Sequence, residues 1–274
     1  MKDNSSVQLF LMKGRDLSHG NASGMVVGTG ERKFILTVAH MLPENDVASI
    51  IQPVAFVDCG VVEGKSMIGV LPLGVCPVYA NICCSRTDGI PEESDPCLDF
   101  TFFEVDKNVG FSGFGKNAIV HVKEFSPPFD IDLSCKDYYS FHGAIKAEPC
   151  GHFYAGSEIL IWDTRMITGL HTTKIGKSYV RFESDDKAQF HEVEMKGTSG
   201  APIFDQFDRP VALVVSGSEE EGYVIGLRLD KAWRVLLDTI NGMLAPKQLS
   251  VEDYERIMGS SIYENIRGYR QSKE

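Results

Sequence analysis

Short segments of strand-forming residues recur along most of this chain, with turn-forming residues between them and no helices in alternation. Examples are "IIQPVAFVD", "DFTFFEVD", "SYVRFES" and "GYVIGLRL". A long series of such segments, uninterrupted by helical patterns, is typical of β-barrels and β-sandwiches. The sequence therefore predicts an all-β fold. Within it, "MVVG" and "KFILTV" are joined by a Gly-containing connection and predict a β-hairpin.

The chain divides into three parts. Two prolines in "EFSPPFD", at 124–130, separate strand candidates and predict a boundary between an N-terminal lobe, 1–125, and a C-terminal lobe, 126–229. Residues 230–274 form a predicted helical extension, with Asp230 as the N-cap of its first helix and Ser250 opening a second helix. The apolar face of the first helix follows a helical spacing and consists of Trp233, Leu236, Leu237, Ile240, Met243 and Leu244.

Composition excludes several classes of protein. A chain of 274 residues with 43% hydrophobic residues can bury one large core or two smaller ones. Its 27 basic and 38 acidic residues give a net charge of -11, which disfavours nucleic acid as a partner. The longest apolar runs, such as "VALVV" at 211–215, are far shorter than the roughly 20 residues of a membrane helix, so no membrane partner is expected. The N-terminus does not resemble a signal peptide.

Cysteine usage indicates a reducing compartment. The chain has seven cysteines, an odd number, and Cys83 and Cys84 are adjacent, which suits free thiols in a cytoplasm better than a set of disulfides. No C-x-x-C pair is present, and we expect neither a metal nor another cofactor. His142, Cys150 and His152 are close enough in sequence to ligate a metal, but ordinary buried side chains explain them more simply.

The segment "KGTSGAPIFD" at 196–205 predicts a nucleophile at Ser199. A serine hydroxyl attacks poorly near neutral pH unless a base removes its proton and a third group orients that base. Gly197 permits a backbone shape in which the N–H groups of residues 197 and 199 point toward one spot and form an oxyanion hole. The alternative is a glycine-rich turn that simply precedes a strand.

Two further segments supply the partners that such a serine needs. In "ILTVAHML", a strand-forming run ends just before His40, so a strand end can hold the imidazole rigidly. In "CLDFTFFEV", Asp99 opens an apolar run, where a partly buried carboxylate requires a donor such as the Nδ1–H of His40. Asp58 and Asp95 are rival acids, and Asp99 is alternatively a strand-start residue that bonds nearby backbone.

Together, "GTSGAPIF", "ILTVAHML" with the preceding "GMVVGTG", and "DFTFFEV" resemble the chymotrypsin-like (trypsin-fold) serine proteases. The similarity is greatest to the intracellular bacterial, viral and high-temperature-requirement branches, and the order His40, Asp99, Ser199 matches the family order. The resemblance implies two six-stranded antiparallel β-barrels with an active site in the crevice between them.

The resemblance also implies a function and its residues. Ser199 attacks a peptide carbonyl, His40 transfers the proton and Asp99 orients the imidazole, so the expected activity is a serine endopeptidase acting on a protein or peptide substrate. Ser216, Gly217 and Ser218 are expected on the wall of the substrate pocket. Val193 is expected on the apolar floor of that pocket, which would favour uncharged side chains. The acidic segment "SEEEG" at 218–222 either forms a rim of the pocket that prefers basic substrates or is only a solvated surface loop.

One departure from the family bears on activation. Secreted relatives carry an Asp just before the nucleophile, which pairs with a newly cut N-terminus, whereas this chain has Thr198. Zymogen cleavage of that kind is therefore not expected. Two alternatives remain open: a protease-fold binding or regulatory module with little catalysis, and a protease switched on by a partner that docks on the tail from Pro246 to Glu274.

Overall fold

A computed structural model describes twelve segments of the chain, and strands dominate them. These segments are 5–13, 16–41, 51–62, 65–73, 98–114, 119–129, 131–133, 138–145, 149–154, 157–160, 163–191 and 195–241. None of the helices within them is both long enough and apolar enough to span a membrane.

The strands of the N-terminal half are β1 (Val7–Lys13), β2 (Asp16–Gly28), β3 (Lys33–Thr37), β4 (Ile51–Val62), β5 (Lys65–Pro72), β6 (Thr101–Val105), β7 (Ser112–Phe114), β8 (Ile119–His121) and β9 (Glu124–Phe125). Those of the C-terminal half are β10 (Tyr139–Ile145), β11 (Pro149–Tyr154), β12 (Ser157–Leu160), β13 (Asp163–Ile175), β14 (Tyr179–Ser184), β15 (Pro202–Phe204), β16 (Pro210–Ser218) and β17 (Tyr223–Arg228). The helices are a 3₁₀ turn (Ala39–Met41), α1 (Ala188–His191) and α2 (Leu229–Ile240).

The N-terminal strands form a curled sheet in the order β5-β4-β1-β2-β3-β6, with β9 added in parallel beside β2. The long strand β2 bends this sheet because its first part pairs with β1 and its last four residues pair with β3. The β2–β3 pair is the hairpin predicted from "MVVG" and "KFILTV", with Met25 opposite Leu36 and Gly28 opposite Lys33. The hairpin prediction is confirmed.

The C-terminal strands close into a six-stranded barrel in the order β10-β13-β14-β17-β16-β15. Pairing of Ser140 with Phe204 and of Phe141 with Ile203 joins the last strand to the first. The predicted all-β fold of two antiparallel lobes is confirmed. The lobes differ in closure, since among the described strands only the second lobe is a closed barrel and the first is a curled sheet.

Successive side chains along each strand point to opposite faces of the sheet, and the apolar ones pack into three clusters. In β14, Val180 and Phe182 point into the barrel and belong to its core. In β3, Ile35 points into the core of the curled sheet. Leu36 in β3 and Tyr179 in β14 face the other way and join a shared core, the cluster that contains residues of both lobes and of α2. The two lobes therefore meet across buried apolar surface.

Helix α2 contacts both lobes. It follows β17 of the barrel directly, and its residue Trp233 packs edge-on against Phe34 of the curled sheet, with ring centroids 6.3 Å apart. The predicted apolar face is confirmed for Trp233, Leu236 and Ile240, which belong to or pack against the shared core, whereas Leu237 is half-buried and is not part of that core. Met243, Leu244 and the second predicted helix lie outside the described residues.

The start of α2 differs from the prediction. Arg228 is the N-cap residue, and Asp230 lies in the first turn, where both of its carboxylate oxygens accept hydrogen bonds from the Arg228 guanidinium at 3.0 Å. Burial raises the pKa of the Asp230 carboxyl, but the hydrogen bonds and charge of Arg228 outweigh it and hold that pKa below its usual value. The predicted cap at Asp230 is wrong because the helix already begins at Leu229, which places Asp230 inside its first turn.

Candidate active site

Ser199 lies in a tight loop that precedes β15. The backbone N–H and the hydroxyl of Thr198 both donate to the Met195 carbonyl, at 3.1 and 2.8 Å, and this closes a turn before the serine. Gly197 has a φ of 105° and Gly200 a φ of 86°, a left-handed conformation that residues with a Cβ rarely adopt. The loop shape therefore depends on glycine at both positions.

His40 lies in the 3₁₀ turn that immediately follows β3. The strand is central in the curled sheet, pairing with β2 on one side and β6 on the other, so its end is fixed from both sides. Thr37, the last residue of β3, is fully buried and donates its hydroxyl to the Ser23 carbonyl at 2.7 Å. The imidazole thus projects from a rigid base, and its side chain keeps 28% of its surface exposed.

Asp99 lies just before β6 and is buried, with 7% of its surface exposed. One carboxylate oxygen, Oδ1, accepts a hydrogen bond from the backbone N–H of His40 at 3.0 Å. The other, Oδ2, is 2.5 Å from His40 Nδ1. Tyr179, on the barrel, accepts a hydrogen bond from the Asp99 backbone N–H at 2.8 Å. The acid is therefore held by contacts from both lobes.

The structure brings His40, Asp99 and Ser199 together across the seam between the lobes. His40 Nε2 is 3.2 Å from Ser199 Oγ, while the opposite ring nitrogen faces Asp99. A nucleophile within hydrogen-bonding reach of a base, with that base oriented by a buried carboxylate, has the geometry that activates a serine hydroxyl. The arrangement can move a proton from Oγ to Nε2 and stabilise the charge that forms on the ring.

The oxyanion-binding residues expected from the sequence lie in the same loop. Gly197 is buried and Ser199 is half-buried. The described backbone hydrogen bonds of the loop use the N–H groups of Thr198, Gly200 and Ala201, and none of them uses the N–H of Gly197 or Ser199. The described hydrogen bonds of the loop are therefore compatible with the oxyanion-binding role expected from the sequence.

Ser216, Gly217 and Ser218 lie at the end of β16, beyond the part of that strand that pairs with β15. On the other edge they pair with Ile225, Val224 and Tyr223 of β17. Ser216 and Gly217 are exposed and Ser218 is half-buried. The three predicted wall residues therefore offer a strand edge beside the nucleophile loop.

Glu219 links this wall to the nucleophile loop. Its Oε1 accepts a hydrogen bond from the backbone N–H of Met195 at 2.6 Å, so the two segments are tied at one end. Glu219, Glu220 and Glu221 are exposed, which gives the rim an acidic character. Val193, the predicted floor residue, lies outside the described residues.

Behind the wall, Arg181 lies over the ring of the buried Tyr223, with the guanidinium carbon 3.7 Å from the ring centroid. The same guanidinium donates to Glu183 Oε1 at 2.7 Å. Burial raises the pKa of Glu183, but hydrogen bonds from Arg181 and Thr173 outweigh it, and the net pKa lies below its ordinary value. The strand behind the acidic rim is therefore stabilised by an ion pair.

The alternatives weighed from the sequence have other positions. Asp58 lies in β4, which pairs with β1 and β5 and is separated from the His40 strand by two others. Asp95 lies outside the described residues. His142 is in β10, 3.5 Å from the Ser5 hydroxyl through Nδ1, while Cys150 and His152 are in β11, whose side chains are not described. Among the described side chains, no three His, Cys, Asp or Glu cluster as metal ligands do.

Sequence reasoning missed two residues that contact this site from the opposite lobe. The Ser23 hydroxyl donates a hydrogen bond to the Gly197 carbonyl in the nucleophile loop. The Tyr179 hydroxyl accepts a hydrogen bond from the Asp99 backbone N–H. Neither residue lies in a recognisable catalytic pattern. Ser23 lies one residue before Gly24 in "NASGMVVG", and Tyr179 opens an ordinary strand. Only the folded arrangement, which joins residues 174 and 80 positions apart, reveals them.

Comparison with known proteins finds similarity in structure only. No family model matches the chain, and no curated protein matches it in sequence. Solved structures similar to it include a human pathogenic astrovirus serine protease, at 12% identity over 82% of this chain and 90% of the other, with a TM-score of 0.39. A Glu endopeptidase is 14% identical over 87% of this chain and 91% of its own, with a TM-score of 0.48.

A third similar structure is the serine endoprotease from Yersinia pestis, 12% identical over 87% of this chain and 64% of its own, with a TM-score of 0.48. All three are named as proteases. At this level of identity the likeness concerns the fold, and it assigns no activity, substrate or residue role to this chain.

Proposed function

We propose that this protein is a serine endopeptidase that cleaves peptide bonds through Ser199, His40 and Asp99. The observation that carries the proposal is the continuous chain of contacts from Ser199 Oγ to His40 Nε2 and from His40 Nδ1 to Asp99 Oδ2. Three residues remote in sequence meet here in the order and geometry that serine activation requires.

The reaction would proceed in two halves. Ser199 Oγ bonds to the peptide carbonyl carbon as its proton passes to His40 Nε2, and the carbonyl oxygen becomes an oxyanion. When the C–N bond breaks, His40 returns the proton to the leaving amine, and an acyl-enzyme remains. Water, deprotonated by the same nitrogen, then bonds to the acyl carbon. The C–Oγ bond breaks, His40 returns the proton to Ser199 Oγ, and the acid product leaves. Asp99 keeps Nδ1 protonated and stabilises the imidazolium in both halves.

The backbone supplies the remaining parts. The N–H groups of Gly197 and Ser199 would receive the oxyanion, where preorganised donors contribute about 10²–10³ in rate each. The edge of Ser216–Ser218 would pair with an extended substrate, in the manner of a strand added to a sheet. Val193 remains a predicted floor residue. Because the rim carries Glu219, Glu220 and Glu221, we expect substrates with basic side chains near the cleaved bond to be preferred over acidic ones.

Location and regulation are part of the proposal. The free cysteines expected from the sequence suit a cytoplasmic enzyme. Docking of a partner on residues 246–274 would then control a protease that lacks the Asp used in zymogen activation. Truncation after Leu244 tests this: peptide hydrolysis and oligomeric state that both match those of the full chain would remove the role of the tail.

A fluorophosphonate probe tests the proposed activity without knowledge of the substrate. The purified full chain is incubated with the probe, and the modified residue is identified by peptide mass spectrometry. We expect the wild type to be labelled on Ser199, and the Ser199→Ala variant, at matched thermal stability, to be unlabelled. Ser126→Ala is the control, since this exposed serine lies outside the proposed site and its loss should leave labelling of Ser199 intact.

Two results would contradict the proposal. Equal labelling of wild type and Ser199→Ala would assign the nucleophile elsewhere. A folded wild type that is neither labelled nor able to cleave any member of a fluorogenic peptide library would favour the alternative of a binding or regulatory module.

A further inference from the structure

We propose that the Ser23 hydroxyl is a positioning group for the oxyanion-binding loop, holding Gly197 from the opposite lobe. The inference rests on the proposed function and adds to it a residue that does not touch the substrate. Ser23 lies in β2 of the curled sheet, whereas Gly197 and Ser199 lie in the loop before β15 of the barrel. The catalytic loop of one lobe is thus secured by a side chain of the other.

Ser23 donates two hydrogen bonds to the nucleophile loop. Its hydroxyl donates to the Gly197 carbonyl at 2.9 Å, and its backbone N–H donates to the Ser199 carbonyl at 2.8 Å. These two carbonyls flank the segment that carries the nucleophile. Ser23 is fully buried, so water cannot substitute for either bond at little cost.

Ser23 is itself fixed in place. Its carbonyl accepts the Thr37 hydroxyl, and Thr37 ends the strand that leads to His40. The same carbonyl lies against Gly200, where a Cβ would come within 2.0 Å of it. The base, the nucleophile loop and Ser23 therefore form one connected unit in which a shift of Ser23 would displace both.

The side chain has a role that the backbone cannot fill. Alanine at position 23 would keep the N–H bond to the Ser199 carbonyl but would leave the Gly197 carbonyl without its buried donor. Gly197 has a φ of 105°, so its N–H and its carbonyl are held in a left-handed conformation that few residues share. The Gly197 carbonyl and the Gly197 N–H belong to adjacent peptide units that share the Gly197 Cα. Loss of the donor loosens the φ and ψ of Gly197, and the N–H that would receive the oxyanion loses its fixed direction. A misplaced oxyanion donor lowers the rate of the chemical step more than it lowers binding.

The seam provides a matched control. Ser6 is 1% exposed and donates its hydroxyl to the His142 carbonyl at 3.0 Å, also from the curled sheet to the barrel. Ser6→Ala removes a partly buried, cross-lobe hydrogen bond whose acceptor, the His142 carbonyl, lies outside the nucleophile loop. A general loss of packing between the lobes would affect both variants alike.

The experiment measures fluorophosphonate labelling as a function of probe concentration for wild type, Ser23→Ala, Ser23→Thr and Ser6→Ala. The maximal rate constant reports the chemical step, and the half-saturating concentration reports binding. For Ser23→Ala we expect the maximal rate to fall about tenfold to a hundredfold, less than loss of a whole oxyanion donor. Half-saturation should stay within about twofold, because the bond acts on the chemical step.

The other variants separate positioning from stability. Ser23→Thr keeps the hydroxyl and should recover most of the rate, while Ser6→Ala should stay within about twofold of wild type despite a similar fall in melting temperature. An unchanged maximal rate in Ser23→Ala overturns the inference and leaves the proposed function intact. An equal loss in Ser6→Ala also overturns it, because the effect would then be general. A wild type that is not labelled at all removes the proposed function, and the role of Ser23 with it.

Discussion

The two lobes differ in how they hold their share of the site. The barrel is closed, so each of its six strands has a neighbour on both sides, and it carries Ser199 on a loop held by its own backbone hydrogen bonds and by Ser23 of the curled sheet. The curled sheet is open among the described strands, and it fixes His40 and Asp99 through direct side-chain bonds and through Tyr179 of the barrel.

This difference between the lobes shows how each of them holds its site residues in place. A closed barrel can support a loop with two glycines in left-handed conformations, because its strands cannot shift without breaking the ring. An open sheet relies on contacts made by the functional residues themselves and on the partner lobe. We therefore expect substitutions in the sheet to affect chemistry most, and substitutions inside the barrel to affect stability most.

Among the residues that support the nucleophile, the largest expected effect falls on the sheet side of the site. Asp99→Asn keeps the size of the side chain but removes the charge that orients and stabilises the His40 ring, so kcat should fall about 10⁴-fold. The melting temperature serves as the control and should change little by comparison. Hydrolysis within tenfold of the wild-type rate would mean that Asp99 is not the acid that orients His40. It would also contradict the expectation that the sheet side of the site controls the chemistry.

Two buried phenylalanines compare the cores of the lobes. Phe182→Ala leaves a cavity in the barrel core, beside Tyr139 at 5.0 Å between ring centroids, and should lower the free energy of unfolding by about 5 kcal/mol. Phe103→Ala, in the open sheet, should cost about 3 kcal/mol because an edge strand collapses more readily around the space. Denaturant unfolding measures both, and a reversed order would mean that closure does not rigidify the barrel core.

A smaller effect is expected where the lobes support each other. Tyr179→Phe removes the acceptor of the Asp99 backbone N–H while keeping the ring in the shared core. An unsatisfied buried donor costs about 1–3 kcal/mol, and we expect a loss of stability at the low end of that range with a fall in kcat of about tenfold. Wild-type kcat in this variant would show that the sheet holds Asp99 without help from the barrel.

The smallest effects come from one ion pair in each lobe. The Arg32 guanidinium donates to both oxygens of Glu104 and holds its pKa below the ordinary value of 4.5, and Glu183 in the barrel also has a lowered pKa. Each pair therefore adds stability that is present above pH 4.5 and lost as the pH falls through the lowered pKa.

Because both pairs are partly exposed, Glu104→Gln and Glu183→Gln should each cost less than about 1 kcal/mol at pH 7. The difference between each variant and the wild type should shrink in unfolding measurements at acid pH. A difference that grows on acidification would contradict the assigned pairs.

The sequence predicts those candidate site residues that lie in short segments with a recognisable pattern. Ser199, His40 and Asp99 each lie in a segment with its own pattern. The series of strand-forming segments predicted the all-β fold, and the family resemblance implied the two lobes. Their catalytic roles remain part of the proposal.

Other features depend on tertiary contacts that a linear pattern does not encode. Ser23 and Tyr179 act on partners 174 and 80 residues away, so nothing in their neighbourhoods indicated a role. Among the described strands the first sheet is open, which depends on how its edge strands pair, and the sequence pattern is the same for a closed barrel. The predicted cap of α2 was wrong because the helix begins at Leu229, before Asp230, and the pattern of apolar residues does not fix its first residue.

The shared core also determines how a substrate would reach Ser199. Hinging the lobes apart would expose Trp233, Phe34 and their apolar neighbours to water, at about 25 cal/mol for each Å² uncovered. The two lobes are therefore expected to keep a constant separation around Ser199. The proposed endopeptidase should then cleave exposed loops and unfolded segments in preference to compact domains.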